Sequence, residues 1–341
     1  MDSIKKNINN IIIEVNYKTE LLGIIMLISN YYEKFPWLFK SFNKNYTDII
    51  RKKFLKYKDE KVLKDFEYFV NKYHFCYDGP LSLFLQLDNN YKCNKFNDYI
   101  LKERINNDKQ IYSFVNGIND FAKKINFEEY YNNNKEKYSL YINSIYNLLK
   151  NSNIADFILD YYGYGKDKKF YVNLIPFTTD GCYGVTINDD IYCSLSVREK
   201  YIYDNNLYNI INDDKDFILI ILHEFSHGYI NELTNKYNLI NNEMNIFDSI
   251  KKDMSKMAYS DNKTILNEHI IRAIVARFIA INYKDNKLYE EERQRNLNMG
   301  FVYFDEIIES LKEYESNRNK YPTFDLYYSK LINNLKGYIC K

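Results

Sequence analysis

Two histidines four residues apart flank a glutamate in the run FILIILHEFSHGYINEL, Phe217 to Leu233, of a chain that has only 4 histidines among 341 residues. On an α-helix, residues four apart lie about 40° from each other around the axis and one turn along it. The imidazoles of His223 and His227 can therefore reach one metal ion. Glu224, about 100° around from His223, would stand beside such an ion, where a carboxylate can hold a bound water and take its proton. Neutral imidazole nitrogens hold Zn2+ without cancelling its Lewis acidity, so these residue types suit metal-assisted hydrolysis with Glu224 as general base. By chance alone the pattern arises in roughly a few chains per thousand of this composition. Left unpaired inside an apolar helix, two imidazoles and a carboxylate would cost on the order of several kcal/mol, and one metal satisfies all three.

A catalytic zinc commonly takes three protein ligands and leaves a fourth position to water. The metzincin continuation HExxHxxGxxH is excluded, because Ile230 and Leu233 stand where it needs glycine and histidine. A third ligand from a later helix is then expected, as in gluzincins. The run NEHIIRAIVARFIAI, Asn267 to Ile281, offers Glu268 in the first turn of an apolar helix, with Arg272 one turn on to steady a metal-bound carboxylate. His269 is the competing ligand, since neighbouring residues diverge by about 100° and one face cannot present both. Alone, Glu268 and Arg272 would read as an ordinary ion pair of little weight. Asn231, one turn past His227, is placed to orient that ligand.

These residues need elements to carry them. With 4 prolines and 10 glycines, punctuation is sparse and most of the chain reads as helix. NIIIEV, residues 10–15, is a β-branched strand, followed by a helix over 19–34 that stops before Pro36. Helical patterns cover 45–75, 95–130 and 135–162, with turns at Asp78-Gly79-Pro80 and Asn132-Asn133-Asn134. The pattern changes at Gly163-Tyr164-Gly165. Strands follow at 169–177, 182–189 and 190–197, the last two a hairpin. Helices return at 214–233, opened by Asn212-Asp213-Asp214 as cap and acidic first turn, then at 243–257, 263–283, 301–316 and 324–338. The expected fold class is α+β, mainly α, with a small mixed sheet just before the histidine helix.

Composition sets the remaining bounds. Charged residues make up 27% and the formal net charge is +1, so no bulk field draws the chain to nucleic acid or an anionic membrane. Basic stretches such as RKKFLKYK, Arg51 to Lys58, read as solvated helix faces. Five scattered cysteines without a CxxC pair argue against a disulfide framework and a thiolate zinc ribbon. LLGIIMLIS, Leu21 to Ser29, is too short to span a bilayer and follows Glu14 and Glu20 without a small-residue cleavage site. It is expected as a buried helix, and the location as cytoplasmic.

At these residues the chain resembles a bacterial family, domain of unknown function 4932, whose motif is that of gluzincin-like zinc peptidases. The resemblance spans VNYKTELLGIIMLIS, YYGYGKDKKFYVNLIPF, HEFSHGYIN, NEHIIRAI, GFVYF and YPTFDLYYSKL. HEFSH with NExxxRA is its chemically specific part. It implies a single zincin-like metallopeptidase domain over 1–341, loosely a helical part to residue 150 and a catalytic part beyond. It also implies one zinc per chain on His223, His227 and Glu268, with Glu224 as base. The 41-residue gap from His227 to Glu268 is a departure, being longer than in thermolysin-like enzymes.

In gluzincins a peptide commonly lies along an edge strand above the metal, which makes Tyr183, Gly184 and Val185 of the hairpin the candidate substrate-binding strand. Tyr183, Tyr283 or Tyr303 could supply a hydroxyl to the developing oxyanion, and Tyr303 is the residue selected. His74 reads as structural. The expected activity is hydrolysis of peptide or protein substrates. The alternatives are a non-catalytic helical binding protein that keeps the fold, and zinc hydrolysis of a non-peptide amide.

Overall fold

A computed structural model describes residues 2–39, 44–175, 182–196, 215–240 and 245–339. They fall into two compact units, one of residues 1–151 and 168–217 and one of residues 152–167 and 218–341. The fold is mainly helical with one five-stranded mixed sheet.

The sheet belongs to the first unit. Its strands are β1 (Ile4–Ile8), β2 (Ile11–Val15), β3 (Phe170–Ile175), β4 (Tyr183–Ile187) and β5 (Asp190–Ser196), in the order β1-β2-β3-β5-β4. β2, β3 and β5 run parallel, and antiparallel hairpins add β1 and β4 at the two edges. The central strand β3 is buried on both faces, as parallel strands usually are. Phe170, Val172 and Leu174 fill one face; on the other, Asn173 accepts from Thr19 Oγ1 at 3.2 Å and donates to Ser194 Oγ at 3.1 Å. β1, IKKNI, was not expected: its alternating half-exposed pattern carries only two apolar residues. The strand expected to reach 177 and the hairpin end at 197 run into residues outside those described.

Eight helices of this unit follow the described chain: α1 (Tyr17–Ile28), α2 (Asn30–Lys34), α3 (Lys44–Phe54), α4 (Lys61–Tyr73), α5 (Asp78–Leu85), α6 (Gln110–Lys124), α7 (Phe127–Asn133) and α8 (Lys135–Leu149). The apolar Leu21–Ile28 stretch lies buried within α1, and among the described residues no helix is long and apolar enough to cross a membrane. The helix expected over 19–34 is two, because Ser29 leaves the helical conformation and its hydroxyl caps α2 through Tyr31 N. The helix expected over 45–75 is cut between Phe54 and Lys61, and those over 95–130 and 135–162 are cut at Asn126 (φ 52°) and Asn153 (φ 54°). Asparagine enters the left-handed region more cheaply than most residues. The expected turn at Asp78-Gly79-Pro80 is instead the first turn of α5, where proline's missing N–H is no loss.

The second unit contains α9 (Ile154–Tyr162), α10 (Lys215–Tyr237, within this unit from Ile218), α11 (Asp248–Ser255), α12 (Asn262–Phe278), α13 (Asn286–Asn298), α14 (Phe304–Ser316) and α15 (Phe324–Ile339). Its core is aromatic. Tyr162 and Tyr229 stack parallel with centroids 4.0 Å apart, and Arg277 donates to both oxygens of Glu315 between α12 and α14. Gly163 closes α9 at φ +71°, where a Cβ would run into the Pro322 carbonyl. α13 had escaped notice because NKLYEEERQRNLN has no apolar stripe, and its buried residues are Glu292 and Asn296.

Candidate metal centre

α10 is apolar on almost every side, so it is wrapped by its unit rather than laid on it. Ile221, Leu222, Phe225, Tyr229, Ile230 and Leu233 are all buried. Ser226, in the middle of the motif, returns its hydroxyl to Leu222 O at 2.8 Å. The side chains of His223 and His227 keep 18% and 19% of their exposure, so the face they share is the accessible one. The cap foreseen at Asn212-Asp213-Asp214 lies outside the described residues.

α12 is set by Asp261, whose carboxylate caps it through Thr264 N at 3.0 Å. Starting at Asn262, it carries Glu268 in its second turn rather than its first. Glu268 Oε2 lies 3.6 Å from His223 Nε2, and Oε1 lies 3.3 Å from His227 Nε2. One ligand atom from each of the three residues falls within 4.8 Å of the other two. Zinc–ligand bonds of about 2.0–2.1 Å at tetrahedral angles separate donor atoms by roughly 3.3 Å. The three residues therefore fit one such ion with small adjustments. Two imidazoles and one carboxylate are also a donor set that zinc favours.

Electrostatics draw the three together. Burial raises the Glu268 carboxyl, but the charge and hydrogen bonds of His223 and His227 outweigh it and hold the group well below its ordinary range. Burial opposes protonation of His227, yet Glu268 first and Glu224 next lift it to about 9. Arg272 reinforces the carboxylate from behind, with Nε 3.3 Å from Glu268 Oε2. The guanidinium is itself fixed by Asn296 Oδ1 and Tyr259 Oη, each at 3.3 Å, and by the Phe301 ring 4.4 Å away. Glu224 is buried to 8% exposure, and among the described residues none hydrogen-bonds its carboxylate.

Asn231 sits where the helical spacing puts it, with Oδ1 3.3 Å from His227 Nδ1. His269 turns away from the cluster. Its Nδ1 bonds Ile265 O at 2.8 Å, and the ring packs against Phe247, Phe301 and Tyr303. Burial in this aromatic setting pushes it down to about 4, the neutral form. Glu268, not His269, is thus the residue brought to the histidine pair. Tyr303 sets its ring at a tilt against those of His269 and Phe247, and among the described residues no hydrogen bond joins it to His223, His227 or Glu268. Tyr183, Gly184 and Val185 form the edge strand β4 of the first unit, where Val185 packs with Leu85 and Ile187.

Two residues went unforeseen. Tyr259, in the loop before α12, places its hydroxyl against Arg272 and Glu268; burial, then the Glu268 charge, pushes it up to about 12. Nothing in sequence separates it from the other 35 of 36 tyrosines. Asn267 donates to Asn231 Oδ1 at 2.8 Å, and its position directly before Glu268 is the only signal that could have found it. No curated protein and no solved structure matches the chain. One family model does, along residues 11–334, and the chain belongs to that family, described as Domain of unknown function (DUF4932).

Proposed function

We propose that the protein is a zinc-dependent hydrolase of the gluzincin kind, acting on peptide bonds. The observation that carries this reading is the convergence of His223, His227 and Glu268 from two helices, with Glu224 on the same helix as the histidines. Zinc held by these three residues would supply Lewis acidity to the scissile carbonyl and acidify a water molecule. The chain's own residues do the rest. Glu224, one position after a ligand and without a hydrogen-bond partner among the described residues, accepts the water proton on its carboxylate and delivers it to the leaving nitrogen. Arg272 keeps Glu268 anionic and its Oε2 directed, while Tyr259 braces Arg272 from the loop.

Metal content of protein purified without chelator, compared with His223→Ala and Glu268→Ala, tests the centre. About one zinc per chain is expected, lost or strongly weakened in both variants. A peptide-library screen then compares wild type with Glu224→Gln, which should keep zinc and lose hydrolysis by orders of magnitude. A chain that takes up no zinc when offered it would instead be a non-catalytic binding protein, and zinc binding without peptide cleavage would turn the search to other amides.

A further inference from the structure

The contact between His227 and Asn231 is the near end of a longer chain of hydrogen bonds. Asn231 Oδ1 accepts from Asn267 Nδ2, and Asn267 Oδ1 accepts from Thr234 Oγ1 at 2.5 Å. Thr234 Oγ1 in turn lies 2.6 Å from Tyr328 Oη of α15. Thr234, Asn267 and Tyr328 are exposed by only 2%, 9% and 1%, so water does not substitute for these three, while Asn231 at the His227 end is exposed.

Such a chain has a direction. An amide oxygen only accepts, an amide nitrogen only donates, and a hydroxyl has a single hydrogen. With the Thr234 hydrogen committed to Asn267 Oδ1, Tyr328 must donate to Thr234. The Asn267 amide nitrogen then faces Asn231, whose oxygen faces both Asn267 and His227. Once its imidazole is neutral, His227 must carry its one hydrogen on Nδ1, which leaves the Nε2 lone pair for a metal ion. In the opposite polarity Asn231 would present its amide nitrogen, Nδ1 would accept, and the hydrogen on Nε2 would block coordination.

Building on the zinc reading above, we propose that Asn231, Asn267, Thr234 and Tyr328 form a directional relay that selects the metal-binding tautomer of His227. They are positioning residues, acting on the ion only through His227.

The full chain, titrated with Zn2+ alone in competition with a chromophoric chelator, tests this. Asn267→Asp keeps the shape but cannot donate to Asn231, so the Asn231 amide turns and the relay reverses. Zinc affinity should fall about 10–100-fold, although the added negative charge by itself would attract the cation. Thr234→Val should weaken zinc several-fold and Thr234→Ser should restore it, which keeps the test usable if the Asp variant does not fold. In the zinc-loaded wild type and in Thr234→Ser, nitrogen-15 NMR should show a slowly exchanging hydrogen on His227 Nδ1. Zinc bound as tightly by Asn267→Asp and Thr234→Val as by wild type, but lost in His223→Ala, would overturn the relay alone. A wild type that binds no zinc would overturn the relay together with the reading it rests on.

Discussion

Glu20 and Glu268 are both single carboxylates in apolar helices, TELLGIIMLI and NEHIIRAIV, and both are buried, at 0% and 4% exposure. Their surroundings drive them in opposite directions. Among the described residues Glu20, on α1, receives one hydrogen bond, from Tyr138 Oη at 2.7 Å, and its Oε1 has no hydrogen-bond partner. Burial therefore dominates and pushes it up to about 8, the neutral acid, with Tyr138 and Lys137 opposing weakly. Glu268 meets the same desolvation, but two imidazoles and a guanidinium face it and keep it anionic. What a buried carboxylate does is decided by the cations it meets, not by its depth.

One isosteric substitution separates the two, with opposite signs. Glu268→Gln removes the anion that offsets buried Arg272 and protonated His227; it should destabilise the metal-free protein by about 3–5 kcal/mol and abolish zinc binding. Glu20→Gln should do the reverse. A folded-state value raised above the ordinary carboxylate range means that Glu20 contributes stability below about pH 4.5, progressively lost as pH rises towards 8. The variant should therefore match wild type near pH 4 and exceed it by on the order of 3 kcal/mol at pH 7. Denaturant melts at both pH values measure this, and a Glu20→Gln chain less stable than wild type at pH 7 would break the comparison.

The next effect concerns the charge that Glu268 maintains on its neighbour. His227 holds its proton up to about pH 9 in the metal-free protein, and zinc must displace it. Zinc affinity should rise about tenfold per pH unit between 7 and 9 and level off above; a flat profile by chelator competition would mean that the His227–Glu268 pair is not formed in solution. The smallest effect is expected next door. His269→Phe removes one hydrogen bond to Ile265, should lower stability by about 1 kcal/mol, and should leave zinc affinity as it was.

Much of this was legible beforehand. HExxH spacing placed the histidines on one face because helical periodicity is a local property, and the three strands near 170–197 followed from β-branched and aromatic runs. Asn231 was legible for the same reason, one turn from His227. The turn at Asn132-Asn133-Asn134 was legible too, and it separates α7 from α8, whereas the breaks at Asn126 and Asn153 were not, because an asparagine-rich chain hides its left-handed residues among identical neighbours. α13 was missed because its burial serves a polar group, Asn296, that fixes Arg272.

The sequence by itself determined which side chains could share a metal, since a four-residue interval on a helix needs no tertiary knowledge. It also narrowed the candidates for a third ligand to Glu268 or His269. Only the tertiary structure chose between them, turning Glu268 to the imidazoles and His269 into the aromatic group of Phe247, Phe301 and Tyr303. The reason is rotational: the two residues differ by about 100° around one helix axis, and how that helix packs against its neighbours, α13 and α14 among them, fixes which of the two faces the imidazoles.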